Sequence, residues 1–210
     1  MKIADSALDL IGNTPLVRLG RIAQRHGIEP VLAKLEKCNP AGSAKDRVAL
    51  SMVLDAEEKG LLRPGATIVE PTSGNTGVGL AMVAALRGYS LVLTMPASMS
   101  VERQKLLKAL GARIELTPAQ AGMGGAVARA EEILRETPGA FMPSQFDNPA
   151  NPAAHAQTAR EILRDTDGQV DVFVATVGTG GTVSGTGRAL KAEKPAEECI
   201  AIDEFDRVKL

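Results

Sequence analysis

Tryptophan is absent from this 210-residue sequence, and aromatic residues make up only 2% of it. A chain so poor in aromatics has few side chains on which nucleic-acid bases could stack. Its formal net charge of -1 provides no attraction to phosphate backbones or anionic membranes. The composition therefore argues against a nucleic-acid-binding protein.

Cysteine and histidine are also scarce, with two of each. Cys38 and Cys199 are too far apart in sequence to indicate a disulfide framework or a metal-ligand cluster. His26 and His155 do not complete a zinc site with them at any familiar spacing. We expect no metal site.

Long apolar runs are missing as well, since no segment approaches the ~18 consecutive apolar residues of a membrane span. Asp5 and Asp9 stand where a signal peptide would have its apolar stretch. We therefore expect a cytoplasmic protein that makes no membrane contact.

Short apolar segments alternate with helical patterns along most of the chain. Strands are predicted at residues 67–70, 91–95, 113–116, 170–176 and 199–202, and helices at 99–110, 124–136 and 151–164. The strands are apolar on both faces, which is typical of a parallel sheet covered by helices on both sides. This alternation predicts an α/β fold with right-handed crossovers.

The two ends of this pattern differ from its middle. Residues 15–19 and 31–36 are predicted as short strands that bracket a helix at 21–26. Residues 145–152 contain two Asn-Pro pairs, which predict an irregular hinge or a crossing between domains.

Small polar residues lie between two apolar elements, a predicted strand and a predicted helix, in the segment EPTSGNTGVG, Glu70 to Gly79. A strand-to-helix junction places backbone N–H groups and a helix dipole where an anion is favoured. A plain helix N-cap is the simpler interpretation, but a cap needs only one hydroxyl or amide side chain. Thr72, Ser73, Asn75 and Thr76 provide four in five positions, which favours anion recognition.

A second glycine-rich segment, TVGTGGTVSGTG, runs from Thr176 to Gly187. Its glycines allow backbone N–H groups to approach an anion, although a flexible turn is the alternative. Val183 stands where a dinucleotide-binding fingerprint needs its third glycine, and no Gly-Lys-Ser/Thr follows for a triphosphate loop. The segment predicts a phosphate site for another kind of ligand.

A third segment, NPAGSAKDR, places Lys45 in the first turn of a predicted helix. A positive charge opposes the helix N-terminus, so the pKa of Lys45 should be lowered, as an amine nucleophile requires. Taken alone, a solvated surface lysine is the better interpretation.

Together these segments resemble the cysteine synthase family, the pyridoxal-phosphate enzymes of fold type II. The residues 11–19 (IGNTPLVRL), 95–118 and 145–155 resemble further blocks of that family, in the same order. The resemblance extends from Ile11 to about Lys191. It implies open parallel sheets with flanking helices in the two-domain architecture of the tryptophan synthase β subunit.

The resemblance also implies roles for individual residues. Lys45 would form a Schiff base with pyridoxal 5'-phosphate and remove the α-proton of the substrate, and Asn75 would bind the ring hydroxyl of the cofactor. The phosphate would be held by Gly178, Thr179, Gly180, Gly181 and Thr182, and the substrate carboxylate by Thr72, Ser73, Gly74, Thr76 and Gln145.

The implied reaction is a β-replacement that makes L-cysteine from O-acetyl-L-serine and sulfide. This transferase reaction of cysteine biosynthesis eliminates acetate from the β-carbon, proceeds via an aminoacrylate and ends with sulfide addition. By the same resemblance the protein would be a homodimer and a partner of serine acetyltransferase.

The expected domains are a larger cofactor-phosphate domain, residues 1–43 plus 148–210, and a smaller substrate-carboxylate domain, residues 44–147. Members of the family are longer, so we expect the larger domain to be incomplete, and no residue here takes the role of facing the pyridine nitrogen. The ending DEFDRVKL resembles no family block.

Three alternatives remain. A shortened, catalytically inactive relative would keep the fold, or bind the cofactor weakly. Serine and threonine dehydratases usually have histidine where Thr76 stands, which argues against them. Cystathionine β-synthases share the TSGNTG block but typically carry a haem or regulatory extension.

Overall fold

The computed structural model describes residues 3–29, 31–195 and 198–203. For residues 201–203 it describes the backbone alone. The unplaced ending, residues 204–210, lies outside this range. The chain divides into two compact units. One is formed by residues 45–151, and the other by the described residues before 45 and after 151.

The unit of residues 45–151 is built on a three-stranded parallel sheet in the order β3-β4-β5. Its strands are β3 (Thr67–Pro71), β4 (Ser90–Pro96) and β5 (Arg113–Thr117). Its helices are α2 (Lys45–Glu58), α3 (Asn75–Arg87), α4 (Val101–Ala109), α5 (Gly122–Glu136) and the first residues of α6 (Ala150–Ala154). The strand and helix types expected from the sequence are confirmed here, with ends that differ by one or two residues.

Helices cover both faces of this sheet. Val69 and Val92 pack with Ala130 and Ile133 of α5 on one face. The next residue of β4, Leu93, points to the opposite face and is fully buried near α3. Burying one such side chain stabilises the fold by about 1.5–3 kcal/mol, so both faces contribute to the core.

The other unit contains an antiparallel pair, β1 (Leu16–Arg18) with β2 (Leu32–Lys34), and a parallel pair, β6 (Val172–Val177) with β7 (Glu198–Asp203). Its helices are α1 (Gly20–His26), the end of α6, α7 (Ala156–Asp165) and α8 (Gly181–Glu193). Ala159 and Ile162 of α7 pack against Leu190 of α8 to form its core.

A buried ion pair fixes the N-terminal segment of this unit. Nζ of Lys34 lies 2.8 Å from Oε2 of Glu161, whose side chain is only 2% exposed. The other carboxylate oxygen of Glu161 accepts a hydrogen bond from the backbone N–H of Asn13 at 2.8 Å. Removing one member of such a pair would leave a buried charge, so this contact specifies the position of the segment.

Two details differ from the sequence-based expectations. The helix expected at 151–164 is two helices, α6 and α7, separated at His155. The irregular segment expected at 145–152 already contains the start of α6, because Pro152 lies in its first turn, where no backbone N–H is needed. Three short 3-10 helices, Ala7–Leu10, Glu36–Cys38 and Ala119–Ala121, were not predicted.

Among the described residues, no helix has both the length and the apolar character that crossing a membrane would require.

Candidate functional site

The polar loop after β3 leads directly into α3. The backbone N–H of Thr72 donates to the carbonyl of Thr94 in β4 at 3.2 Å, which ties the start of the loop to the sheet. The hydroxyl oxygen of Thr72 accepts from the N–H of Gly74 at 3.2 Å. Gly74 is the N-cap of α3 and has no side chain to cap it. The simple N-cap interpretation is therefore wrong, and the N-terminus of α3 lacks a side-chain cap that would compete with an anion.

Gln145 meets this loop from a distant part of the sequence. The hydroxyl of Thr76 donates to Oε1 of Gln145 at 2.6 Å, and both residues are buried. The carbonyl of Gln145 accepts from the side-chain amide of Asn151 at 2.7 Å. Because Thr76 occupies the amide oxygen, the amide nitrogen of Gln145 is oriented as a donor, the group that a carboxylate prefers.

Glu70 holds the turn that carries Gln145. Its carboxylate accepts the backbone N–H of Ser144 at 2.9 Å and that of Gln145 at 3.2 Å. Ser144 has a φ of 53°, a backbone conformation that L-residues seldom adopt. Two hydrogen bonds to a carboxylate at the adjacent peptides stabilise this turn, so Glu70 determines where Gln145 lies.

Burial governs the charge state of Glu70. The side chain is 1% exposed. Desolvation raises the pKa of this carboxyl to about 7, although the two backbone N–H donors act in the opposite direction. Glu70 was not among the expected site residues, yet a glutamate that ends an apolar strand is a signal that the sequence contains.

Lys45 is the first residue of α2, as expected. Its pKa is lowered, in the expected direction, and burial of the amine is the cause. A lowered pKa increases the fraction of uncharged amine at a given pH, and the uncharged amine is the nucleophilic form.

Gly79 allows α3 to approach the first turn of α2. A Cβ atom at this position would lie 2.9 Å from the carbonyl oxygen of Lys45 and 3.1 Å from Cβ of Ala49. A side chain would therefore push the backbone of Lys45 away from α3. Gly79 was also missed as a site residue, because its role depends on the packing of two helices.

We expect Gly79→Ala to destabilise the protein by about 1–3 kcal/mol, because the added methyl group overlaps a backbone atom of α2. Urea unfolding measures this change. Gly124→Ala is the matched control, since among the described residues no heavy atom lies within 4 Å of its added Cβ. Alanine is the better helix former there, so this control should be neutral or stabilised by up to about 1 kcal/mol. Equal destabilisation of both variants would contradict the close-packing argument.

The glycine-rich loop lies between β6 and α8 in the other unit. Gly180 is the N-cap of α8 and has a φ of 77°, a conformation that favours glycine. The hydroxyl oxygen of Thr179 accepts from the N–H of Gly181 at 3.4 Å. Added Cβ atoms at Gly178 and Gly180 would meet no heavy atom of the described residues within 4 Å, so there is room beside the loop.

The expected site residues thus form two groups. Lys45, the loop of residues 72–76 and Gln145 belong to the unit of residues 45–151. Residues 178–182 belong to the other unit. Within the first group, the structure brings Thr76 and Gln145 into direct contact across 69 positions of sequence.

Comparisons with known proteins identify the family of this chain. The family model described as pyridoxal-phosphate dependent enzyme matches residues 7–207. Cysteine synthase A of Escherichia coli K12 is 54% identical over 194 residues, which cover 91% of this chain and 59% of that protein. A cysteine synthase of a Flavobacterium species is 50% identical over 199 residues, covering 94% of this chain and 64% of that protein.

Comparison with solved structures also finds a cysteine synthase. The crystal structure of a cysteine synthase from Entamoeba histolytica superposes with a TM-score of 0.92 at 45% identity, over 95% of this chain and 60% of that one. This chain therefore spans less than two thirds of the length of these relatives. The fold expected from the sequence is confirmed.

Proposed function

Because the chain belongs to the pyridoxal-phosphate-dependent enzymes, we propose that it catalyses β-replacement at an activated serine, making L-cysteine from O-acetyl-L-serine and sulfide. The cysteine synthases that it resembles support this reaction class. One observation in the chain carries the proposal most directly. A partly buried lysine with a lowered pKa, Lys45, shares its compact unit with the hydroxyl and amide groups of Thr76 and Gln145.

The residues present fit the cofactor. A phosphate group needs backbone N–H donors and open space. Gly180 has a left-handed backbone conformation that favours glycine, and there is room beside both Gly178 and Gly180. An aldehyde needs an amine that is partly uncharged, and burial lowers the pKa of Lys45. We assign the phosphate to residues 178–182, the ring hydroxyl to Asn75 and the aldehyde carbon to Lys45.

When bound, pyridoxal phosphate supplies an electron sink for charge that develops at the α-carbon of an amino acid. The residues of this chain supply the rest. The amine of Lys45 takes the α-proton as general base. Ser73 and the N-terminal peptides of α3 hold the substrate carboxylate together with the amide nitrogen of Gln145. Thr76 and Thr72 act by fixing Gln145 and the loop, since their hydroxyl groups bond to Oε1 of Gln145 and to the N–H of Gly74.

The test is a reconstitution assay. The full chain is loaded with pyridoxal phosphate, supplied with O-acetyl-L-serine and sulfide, and assayed for cysteine and acetate released in equal amounts. Gln145→Ala should raise the KM for O-acetyl-L-serine, because it removes a carboxylate donor, while cofactor attachment stays unchanged. A chain that binds the cofactor but releases neither product would contradict the proposed reaction.

A second candidate is a chain that binds the cofactor without turnover. One observation favours it: Val172 and Val174 on one face of β6 are 48% and 50% exposed. Parallel strands are usually covered on both faces, so this face of the glycine-loop unit is unusual. Cofactor attachment without product in the same assay would support this candidate.

We also propose a homodimer, a serine acetyltransferase partner and a cytoplasmic location, each supported by the resemblance to cysteine synthases. Light scattering of the purified chain measures the first, and co-purification with a serine acetyltransferase the second.

A further inference from the structure

Two Asn-Pro pairs follow Gln145, and the sequence alone predicts an irregular hinge or a domain crossing there. The structure gives the side chains of both asparagines specific partners. The amide of Asn148 donates to the carbonyl of Pro143 at 2.8 Å, and its oxygen accepts the backbone N–H of Ala150 at 2.9 Å. The amide nitrogen of Asn151 donates to the carbonyl of Gln145 at 2.7 Å. Both amide nitrogens therefore bond back to the chain that precedes them.

Backbone hydrogen bonds close the same segment, residues 143–151, which we call the Asn-Pro clamp. The carbonyl of Ser144 accepts the N–H groups of Asp147 at 3.0 Å and of Asn148 at 3.1 Å. The carbonyl of Asn148 accepts the N–H of Asn151 at 3.0 Å. Ser144 has a φ of 53°, which an L-residue keeps only where its surroundings hold it. The clamp thus has a defined shape although most of it is irregular.

Gln145 is held at three points by this clamp and its neighbours. Its backbone N–H donates to Glu70 at 3.2 Å, its backbone carbonyl accepts from Asn151, and its side-chain oxygen accepts from Thr76 at 2.6 Å. All four residues are buried. The bond from Asn151 is the one that holds the peptide on the C-terminal side of Gln145. Without it the backbone can rotate there, and the amide nitrogen of Gln145 loses its fixed direction.

The clamp is also bonded to the helix that begins with Lys45. The hydroxyl of Ser51 in α2 donates to the carbonyl of Ala150 at 2.8 Å, and Ala150 is the residue before Asn151. Ser51 lies about 9 Å along the helix from Lys45, because each helical residue rises about 1.5 Å. The path from Lys45 to Gln145 therefore runs through one helix and two hydrogen bonds, all within the unit of residues 45–151.

We infer that Asn151 is a positioning residue which, by holding the backbone carbonyl of Gln145, keeps the Gln145 amide in place to bind the α-carboxylate of the substrate. This role rests on the proposed function, in which Gln145 binds that carboxylate. It gives the two Asn-Pro pairs separate tasks. Asn148 shapes the clamp, and Asn151 holds the residue that contacts the substrate.

The test measures ligand binding by the full chain loaded with pyridoxal phosphate. L-Alanine has the α-amino and α-carboxylate groups of the substrate but no leaving group, and L-alaninol has a hydroxymethyl group in place of the carboxylate. The absorbance of the cofactor reports both dissociation constants. In Asn151→Ala the dissociation constant for L-alanine should rise about tenfold, the effect of losing one buried hydrogen bond. The constants for L-alaninol and for pyridoxal phosphate should stay within about threefold of the original values.

Gln104→Ala is the matched control. Its side-chain amide also donates to a backbone carbonyl, that of Met99 at 3.0 Å, but it lies outside the clamp. This variant should bind L-alanine and L-alaninol as the original chain does. An equal loss of L-alanine and L-alaninol binding in Asn151→Ala would indicate a general disturbance of the fold and would overturn the inference.

A double-variant cycle asks whether Asn151 acts through Gln145. Gln145→Ala removes the amide that Asn151 positions, so adding Asn151→Ala should not weaken L-alanine binding further. Additive losses would overturn the inference. Thermal unfolding confirms that each variant is folded. If Asn151→Ala does not fold, Asn151→Leu takes its place in every comparison, because leucine has nearly the shape of asparagine and no donor.

NMR of the side-chain amides gives a readout that does not depend on the cofactor. The two N–H signals of Gln145 are identified by their absence in Gln145→Ala. In the cofactor-free chain, Asn151→Ala should shift these signals and speed their exchange with water, whereas Gln104→Ala should leave them unchanged. Unchanged signals in Asn151→Ala would overturn the inference alone. A folded chain that binds no pyridoxal phosphate, or that binds L-alanine no better than L-alaninol, would instead overturn the proposed function and this inference with it.

Discussion

Replacing Lys45 with alanine is expected to abolish covalent attachment of pyridoxal phosphate and, with it, all cysteine formation. Lys45 provides an amine whose pKa burial lowers, at the start of α2. Alanine has no nucleophile and no base, and loss of such a group commonly costs several orders of magnitude in rate. The measurement is borohydride reduction of the loaded chain followed by mass spectrometry of its peptides. The expected result is a pyridoxyl group on Lys45 in the original chain and none in the variant.

Lys59→Ala is the matched control for this experiment. Lys59 lies just past the other end of α2, is half-exposed, and pairs with Asp55 at 2.7 Å in an i, i+4 contact. Such a surface pair contributes about 0.3–0.5 kcal/mol, so the control should fold and attach the cofactor normally. An undiminished adduct on another lysine in Lys45→Ala would contradict the assignment.

The pH dependence of attachment follows from the lowered pKa of Lys45. At a given pH, a larger fraction of this amine is uncharged than in an ordinary lysine with a pKa of 10.5. The rate of attachment should therefore reach half of its maximum below pH 10.5. A midpoint at or above this value would show that the amine is not desolvated in solution.

Replacing Glu70 with glutamine should remove the largest single pH dependence of stability that we expect in this protein. Burial raises the pKa of Glu70 from 4.5 to about 7. A carboxyl with a raised pKa binds its proton more tightly in the folded chain than in the unfolded one. Its stabilising contribution is complete below pH 4.5 and is lost as the pH rises to about 7. Across this window the free energy of unfolding should fall by about 3 kcal/mol.

The change of the free energy of unfolding with pH is measured by urea unfolding at a series of pH values between 4.5 and 8. Glutamine does not titrate, so Glu70→Gln should give a markedly flatter profile. Glu131→Gln, an exposed position in α5, is the control and should keep the slope of the original chain. If the stability of Glu70→Gln depends on pH as strongly as that of the original chain, groups other than Glu70 cause this dependence and the prediction is wrong.

Protonation of Glu70 should also affect the binding of substrate by Gln145. The ionised carboxylate of Glu70 has one acceptor oxygen for each of the backbone N–H groups of Ser144 and Gln145. When Glu70 is protonated, one of these oxygens carries an O–H donor beside the two N–H donors. Binding of the substrate carboxylate should therefore weaken in the original chain as the pH falls below about 7. In Glu70→Gln this weakening should be absent.

Part of the candidate site could be predicted because its signals are local. Lys45 follows a Gly-containing loop and begins a helix, and the residues 72–76 follow an apolar strand. Such positions depend on neighbouring residues, on turn chemistry and on helix starts. The resemblance to a family then gave these residues their expected roles, which the tests above address.

The contacts of Glu70 and Gly79 could not be predicted in the same way. In the sequence Glu70 is simply a polar residue at the end of a predicted strand. Only the fold brings the backbone of Ser144 and Gln145 to its carboxylate. Each of these contacts joins residues from different elements, and a local pattern carries no information about which elements will meet. The break at His155 is another example, since residues 151–164 favour one helix by periodicity alone.

By itself, then, the sequence determined the α/β class, the parallel strands and the chemical character of the loops, because hydrophobic periodicity and turn residues act over a few positions. Tertiary structure alone decided which polar groups are buried and what they bind. Burial removes water from Glu70 and Lys45 and so changes their pKa values, and close packing at Gly79 fixes the neighbours of Lys45. These effects depend on distances between segments, which packing of the whole unit sets.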